Sequence, residues 1–284
     1  MRTNNTVLSK FFAQYILNDL LNKKHFNLYN DIVTNYKINF DKKTNGNIIS
    51  DIYNIISKQY RNEYFYQNTI FNKLLLGVHS LKTTTALRQI SIENSKADFI
   101  MINGKAIVYE IKSELDSFER LETQIKDYYK AFSNVCVVTC EANYDKIKKI
   151  LNGTTVGFYI LTTNNTLSRK MRQEPIENNL HLEHSAIFKL LHKKEFENIL
   201  RFVYNRLPKC PQAFYYDECF KLFSQISINK IYTLALKELK NRNQVIFNEF
   251  KEIPYELKSL VYFSNMTSNS YKRLNIFLEN KFGG

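Results

Sequence analysis

Three charged residues stand inside the most apolar part of the chain. Asp98 lies in one strand-like run, and Glu110 and Lys112 lie in the next. Two neighbouring carboxylates repel each other, so both stay ionised only where a positive charge is close. A hard divalent cation with oxygen ligands would supply that charge, and an ammonium group beside it could stabilise charge developing on a phosphate. The pattern therefore indicates metal-dependent phosphodiester chemistry.

The geometry of this pattern depends on the turn between the two runs. Asn103 and Gly104 predict a hairpin turn. A two-residue loop would put Asp98 opposite Tyr109 and away from Glu110, because strand side chains alternate between the two faces. A three-residue loop, or an equivalent bulge, would put Asp98 directly opposite Glu110. We expect the second register.

Hydrophobic periodicity predicts the elements that position these residues. Up to the hairpin we expect helices over 6–23, 27–38 and 47–77, and strands over 84–92, 97–103 and 105–112. After it we expect helices over 116–132 and 142–151, strands over 135–139 and 156–161, and a helical region with segments 182–206, 214–241 and 255–280. Asp116 and Glu119 have the spacing of a capping box for the helix after the hairpin. Gly77 is the expected end of the helical stretch before the sheet.

Two further polar residues share one face of the predicted helix after the hairpin. Gln124 and Tyr128 are four residues apart. Together with Lys96-Ala97-Asp98 and Glu110-Ile111-Lys112, this spacing resembles the PD-(D/E)XK nuclease superfamily, in particular its RecB-type branch with a Gln-x-x-x-Tyr motif. The resemblance covers roughly residues 60–165. The string YEIKSELDSFERL also resembles a group of small bacterial proteins of largely unknown function.

The resemblance implies a fold and a division of the chain. The fold would be α/β, with a restriction-endonuclease-like core of order αβββαβ around a mixed central sheet. Helical segments would flank this core at both ends. The corresponding division is an N-terminal helical segment over 1–58, a nuclease core over 59–175 and a C-terminal helical region over 176–284.

The resemblance also implies roles for the site residues. Asp98, Glu110 and the carbonyl of Ile111 would bind Mg²⁺ or Mn²⁺. Lys112 would orient or activate the attacking water and stabilise the pentavalent state. The remaining pair, Gln124 and Tyr128, would brace the site or contact the substrate strand.

The charge of the chain favours a polyanionic partner. The net charge is +13 and the isoelectric point about 9.4, which favours nucleic acid first and an acidic membrane surface second. We expect DNA as the substrate, with Arg88, Lys96 and Arg120 as contacts to nucleic acid. A double-strand cutter often needs two active sites, which leaves open a homodimer or a protein partner bound through the C-terminal helices.

One position departs from the superfamily pattern. The superfamily often adds an upstream acidic residue, and Glu63 and Glu93 are candidates by position. Gln89, just ahead of Asp98, is neutral. It keeps a second interpretation open, in which a nuclease-fold module binds nucleic acid or a protein partner without cutting. Two interpretations without catalysis also remain open: a buried structural ion network around Asp98, or an interaction protein built on the helical flanks.

The remaining features bear on the compartment. Four cysteines with no CxxC spacing predict free thiols rather than a disulfide framework or a metal cluster. No apolar run approaches the length of a membrane span, and the N-terminal residues lack the apolar core of a signal peptide. We therefore expect a cytoplasmic protein that does not act at a membrane. By resemblance alone, a role in bacterial phage defence or mobile-element biology follows.

Overall fold

Two compact units make up the chain. The computed structural model describes residues 5–22, 27–242 and 245–283. One unit, which we call the helical unit, comprises Met1–Val78 and Gln244–Gly284, and the other, the sheet unit, comprises His79–Asn243. The predicted borders at residues 58 and 175 do not coincide with this division, because both ends of the chain contribute to the helical unit.

Short helices build the N-terminal part of the helical unit. They are α1 (Asn5–Phe11), α2 (Gln14–Leu21), α3 (Asn27–Asn35), α4 (Asn45–Gln59) and α5 (Glu63–Ile70). The prediction of one helix over 6–23 is wrong, because the chain is extended at Ala13. Phe11 and Phe12 are both buried. A continuous helix would direct their side chains about 100° apart, so the break lets both rings enter the core.

The predicted helix over 47–77 is likewise interrupted, between α4 and α5. Asn62 accepts a hydrogen bond of 3.0 Å from the backbone N–H of Phe65 and so caps the start of α5. A π-helical turn, Phe71–Leu76, follows α5 and ends at Gly77, as expected. A Cβ atom at Gly77 would lie 2.6 Å from the carbonyl oxygen of Lys73, which explains why a glycine stands there.

A six-stranded mixed sheet forms the centre of the sheet unit. Its strands are β1 (Thr85–Ile92), β2 (Ser95–Asn103), β3 (Lys105–Lys112), β4 (Val135–Cys140), β5 (Gly157–Leu161) and β6 (Leu167–Gln173). They lie in chain order across the sheet, with β3, β4 and β5 parallel and the other pairs antiparallel. The strand β6 was not predicted, because its polar sequence LSRKMRQ has no apolar alternation. It pairs with β5 at the edge of the sheet, and all of its side chains are exposed or half-buried.

The described part of the sheet unit contains six α-helices. They are α6 (Leu121–Tyr129), α7 (Tyr144–Ile150), α8 (His184–Leu190), α9 (Lys193–Tyr204), α10 (Tyr215–Ser224) and α11 (Ile228–Lys240). α6 joins β3 to β4, and α7 joins β4 to β5. Right-handed connections between successive parallel strands put both helices on one face of the sheet. Accordingly Tyr128 of α6 and Ile147 of α7 share one buried cluster with Val108, Val137 and Ile160 of the strands.

The helix after the hairpin begins later than predicted, and its predicted capping box is wrong. α6 starts at Leu121, after Arg120 in the capping position. The Asp116 carboxylate instead accepts hydrogen bonds from the backbone N–H (2.7 Å) and the hydroxyl (2.6 Å) of Ser113. This local bond competes with helix formation and holds residues 113–120 as a loop.

The C-terminal part of the helical unit adds three helices. They are α12 (Phe247–Lys251), α13 (Lys258–Tyr262) and α14 (Ser268–Glu279). α14 packs on α4, where the buried side-chain amide of Asn45 donates a hydrogen bond of 3.0 Å to the carbonyl oxygen of Phe277. Among the described residues, no helix is both long enough and apolar enough to cross a membrane.

Candidate functional site

The hairpin between β2 and β3 has the predicted register. Asn103 pairs directly with Lys105, and Gly104 between them has a φ of 73°. Glycine adopts this left-handed conformation without steric cost. Continued along both strands, the register puts Asp98 directly opposite Glu110. The predicted register is thereby confirmed, although Asn103 and Lys105 of the predicted three-residue loop pair with each other and leave only Gly104 unpaired.

Asp98 on β2 is hydrogen-bonded to the neighbouring strand β3. Its Oδ2 atom accepts a hydrogen bond of 2.8 Å from the backbone N–H of Ile111. The N–H and C=O groups of one strand residue point to the same neighbouring strand. The Ile111 carbonyl is therefore directed to the same side of β3 as the Asp98 carboxylate. These two oxygen donors and Glu110 are the three predicted metal ligands.

Glu110 is the centre of a buried hydrogen-bonded network. Its Oε1 atom accepts 2.6 Å from the Gln124 amide and lies 3.0 Å from the Lys112 ammonium. Its Oε2 atom accepts 2.5 Å from the Tyr128 hydroxyl. Lys112 also donates 2.8 Å to the Gln124 carbonyl oxygen, so the four side chains fix one another. The structure thus brings together the four residues that the sequence placed on β3 and α6.

The Tyr128 hydroxyl serves this network as a hydrogen-bond donor. Burial raises its pKa well above the usual range, and the neighbouring Glu110 and Asp98 carboxylates raise it further. The phenol therefore stays protonated at every pH at which proteins are ordinarily folded. It also lies 3.0 Å from the carbonyl oxygen of Lys96, which connects α6 to β2.

A second contact fixes α6 on the sheet. The Asp127 carboxylate is buried and accepts 2.7 Å from the Ser95 hydroxyl on β2. This bond orients α6 so that Gln124 and Tyr128 reach Glu110. This bond was not predicted from the sequence. Its one sequence signal is Asp127, a charged residue on the side of α6 that faces the strands.

Two carboxylates, Asp98 and Glu110, and the ammonium group of Lys112 lie together at the site. A carboxylate oxygen can accept two hydrogen bonds, and Glu110 Oε2 has accepted one, from Tyr128. Glu110 Oε2 thus keeps a lone pair for a metal ion. Together with the Asp98 carboxylate and the Ile111 carbonyl it forms an all-oxygen set, which fits Mg²⁺ or Mn²⁺. In the described part of the chain no three His, Cys, Asp or Glu side chains cluster as a metal site, so the Ile111 carbonyl, water and substrate oxygens would complete the coordination.

Gln89 of β1 stands across from Asp98, between the ladder pairs of Arg88 with Phe99 and Ile90 with Ala97, but the two residues are not themselves a ladder pair. Gln89 itself has a φ of 53°, in the left-handed region. For a residue other than glycine this conformation costs on the order of 1 kcal/mol, and such strain concentrates at functional sites.

The two upstream acidic candidates lie in different units. Glu63 begins α5 and belongs to the helical unit. Glu93 lies in the turn between β1 and β2, where its carboxylate is 3.2 Å from the ammonium of Lys189 on α8.

The three predicted nucleic-acid contacts have different positions. Arg88 is half-buried on β1 and pairs with Phe99. Lys96 is exposed next to Asp98 on β2, two residues along. Arg120 is exposed in the capping position of α6. All three stay predicted contacts to nucleic acid.

All four cysteines are free thiols, as predicted. Burial raises the pKa of both the Cys136 and the Cys219 thiols. A raised pKa lowers the thiolate fraction, so neither residue is a reactive nucleophile near neutral pH.

Comparison with known proteins places the chain in a family. The family described as bacteriophage P4 protein cII matches residues 56–263, a range that contains the whole sheet unit. Protein cII of Enterobacteria phage P4 is 25% identical over 173 residues, which are 60% of this chain and 64% of the relative. The chain thus spans less than two thirds of that relative's length. No solved structure matches the chain. Since the family match covers well over half of its residues, the chain belongs to the bacteriophage P4 protein cII family.

Proposed function

We propose that the chain is a metal-dependent nuclease that hydrolyses phosphodiester bonds, with DNA as the substrate. One observation carries this proposal: Asp98 and Glu110 are the next positions beyond the Phe99–Tyr109 pair, Asp98 accepts a hydrogen bond from the Ile111 N–H, and Lys112 stands two residues after Glu110. The element order of the sheet unit, three antiparallel strands followed by α6 and a parallel β4, supports a PD-(D/E)XK-like core. The helix that precedes this order, α5, lies in the helical unit.

A divalent cation would give the site its reactivity. Asp98, Glu110 and the Ile111 carbonyl would hold Mg²⁺ or Mn²⁺, which acts as a Lewis acid and lowers the pKa of a bound water. The cation would also favour the ionised form of both neighbouring carboxylates. The oxygen-only donor set is the reason to expect these ions rather than Zn²⁺.

Lys112 would act on the reacting atoms. Its ammonium group lies within hydrogen-bond distance of Glu110 and Gln124, so its position is fixed before substrate binds. One of its three N–H groups would orient the attacking water or stabilise the charge that develops on the phosphate. Gln124 holds both Lys112 and Glu110, and Tyr128 holds Glu110 from the other side.

The wider context agrees with a nucleic-acid substrate. The net charge of +13 favours a polyanion, and a relative encoded by a phage supports a role in mobile-element biology or phage defence. A homodimer, or a partner bound through the C-terminal helices, stays a prediction.

A non-cutting nuclease-fold module is the second candidate. The neutral Gln89 opposite Asp98 favours it, because one fewer carboxylate weakens the attraction for a cation. The contact between Lys112 and Glu110 favours it too, since it neutralises one carboxylate without metal. Such a module would bind nucleic acid or a protein partner.

Cleavage assays with labelled duplex DNA, single-stranded DNA and RNA distinguish the two candidates. Each substrate is incubated with the protein in Mg²⁺, in Mn²⁺ or in EDTA. We expect cleavage that requires metal and is lost in Lys112→Ala, by about a thousandfold. Lys126→Ala is the matched control, because Lys126 is exposed on α6 and pairs only with Glu122 in the turn before it. If no substrate is cleaved and EDTA does not change nucleic-acid binding, the proposal of a nuclease is wrong and that of a non-cutting binding module is favoured.

A further inference from the structure

The edge strand β6 contains a bulge that exposes two cations. Tyr159 pairs with Arg172 and Leu161 pairs with Leu167, so residues 168–171 lie opposite Ile160 alone. Within the bulge, the Ser168 hydroxyl accepts 3.0 Å from the backbone N–H of Met171 and closes a local turn. Bulges are over-represented at sheet edges and next to active sites.

The bulge carries charge that the protein does not neutralise. Arg169 and Lys170 are exposed, and neither forms an ion pair with any residue that the structure describes. The neighbouring Arg172, by contrast, lies 3.1 Å from the Glu174 carboxylate and over the ring of Tyr159. Two adjacent free cations on a fixed strand are suited to bind phosphate oxygens.

The bulge lies level with the candidate site along the strands. Lys112 pairs with Thr139, which pairs with Ile160, and the bulge lies opposite Ile160. Three inter-strand spacings separate β3 from β6, which is about 14 Å. Both features stand at the carboxyl ends of the parallel strands, the edge at which open α/β sheets bind their ligands.

Hydrogen bonds hold this edge together between the site and the bulge. The Asn143 side chain donates 2.9 Å to the Thr139 hydroxyl, and its amide nitrogen is 3.5 Å from the carbonyl oxygen of Ser113. Glu141 accepts 2.8 Å from the backbone N–H of Thr163 in the turn before β6. The position of the bulge relative to Lys112 is therefore set by the loops that follow β3, β4 and β5.

We propose that Arg169 and Lys170 bind the nucleic-acid backbone beside the site of cleavage. One strand of DNA advances about 3.4 Å per nucleotide along the helix axis, so 14 Å places the contact about four nucleotides from the scissile phosphate. The inference rests on the proposed function, because it takes nucleic acid as the substrate. It adds the path of the substrate across the protein, along the edge of the sheet from β3 over β4 and β5 to β6.

Binding in EDTA tests this contact apart from cleavage. The double variant Arg169→Ala/Lys170→Ala is compared with Lys230→Ala/Lys237→Ala, which removes the same charge from exposed positions on α11 of the same unit. The probe is a short fluorescent DNA duplex titrated at several salt concentrations. We expect the β6 variant to bind about tenfold more weakly at 0.1 M salt. Its slope of log K against log salt should fall by about two, while the α11 variant binds like the wild type.

The outcomes separate this inference from the proposed nuclease. If the wild type cleaves but the β6 variant binds and cleaves as well as the α11 variant, the contact at Arg169 and Lys170 is refuted and the nuclease stands. If the β6 variant loses binding while no protein cleaves, the contact stands and the nuclease fails. A wild type that binds no duplex overturns the contact.

Discussion

Two buried networks of acid and base occur in the described part of the sheet unit, and they differ in the number of carboxylates. Glu195 in the first turn of α9 faces Arg242, whose Nε and Nη2 atoms donate 2.7 Å and 2.5 Å to its two oxygens. The backbone N–H of His192 donates a further 2.7 Å, which caps the helix, and the His192 ring lies 3.6 Å from the same carboxylate. This network holds a single carboxylate with basic groups around it. The network around Glu110 has a second carboxylate, Asp98, next to Glu110 and Lys112.

The difference separates a structural ion pair from a candidate site. Burial alone would raise the pKa of Glu195, but the hydrogen bonds from Arg242 and from the His192 N–H lower it below its usual range. The charge of Glu195 is thus satisfied within the protein. At the other network two carboxylates, Asp98 and Glu110, lie next to each other, which is an arrangement that a bound cation would stabilise.

Arg242→Ala should give the largest loss of stability. It leaves the buried Glu195 carboxylate without its bidentate partner and should lower the free energy of unfolding by about 3 kcal/mol, measured by urea denaturation. Any nuclease activity of the remaining folded protein should be unchanged. Lys112→Ala should show the reverse pattern in Mg²⁺: lost cleavage with little change in the unfolding midpoint. Equal destabilisation by both variants would mean that the two networks are alike.

Neutralising one carboxylate should change the free energy of unfolding in opposite directions in the two networks. In metal-free buffer, Asp98→Asn removes repulsion with Glu110 and keeps an oxygen to accept from Ile111, so the free energy of unfolding should rise by about 1 kcal/mol. Glu195→Gln loses the charge that Arg242 requires and should lower it. The measurement is thermal unfolding in EDTA. Destabilisation by Asp98→Asn would indicate that its charge is already satisfied in the protein.

The pH dependence of stability should reveal the Glu195 network. Because the pKa of Glu195 is lower in the folded than in the unfolded chain, its stabilisation is complete above the unfolded value of about 4.3. It is lost as the pH falls through the folded pKa. Urea midpoints of wild type and Glu195→Gln should therefore converge towards acid pH and diverge above about pH 5. A constant difference across this range would refute the linkage.

Gln89→Gly should have the smallest effect, an increase of about 1 kcal/mol in the free energy of unfolding. Glycine adopts the positive φ of Gln89 without a steric penalty, although it adds entropy to the unfolded chain. Ser91→Gly, on the same strand at an exposed position with ordinary φ, is the control and should destabilise. Destabilisation by both would mean that the strain beside Asp98 is compensated by contacts of the Gln89 side chain.

Local sequence signals predicted the parts of the site that lie on regular elements. The Asn103-Gly104 turn fixes the register of β2 and β3, and that register alone brings Asp98 to Glu110. The four-residue spacing of Gln124 and Tyr128 puts both on one face of α6. Periodicity and turn chemistry depend on residues that are close in the sequence. A single sequence was therefore sufficient to predict these features.

Other features depend on contacts between distant residues. The helical unit joins both ends of the chain, which no local pattern can indicate. The strand β6 is polar and forms because β5 offers an unpaired edge. Asp116 has the spacing of a helix cap, but its side chain bonds to Ser113 instead. In each case a tertiary or side-chain contact outweighed the local preference.

Binding of Mn²⁺ to a variant that cannot turn over tests the central claim most directly. Lys112→Ala and Lys112→Ala/Asp98→Asn are titrated with Mn²⁺, with and without duplex DNA, and bound metal is measured by electron paramagnetic resonance. We predict that Lys112→Ala binds Mn²⁺ at a site that the double variant lacks, because Asp98 and Glu110 are then unopposed by an ammonium group. Equal Mn²⁺ binding by the two folded variants would contradict a metal site at these carboxylates.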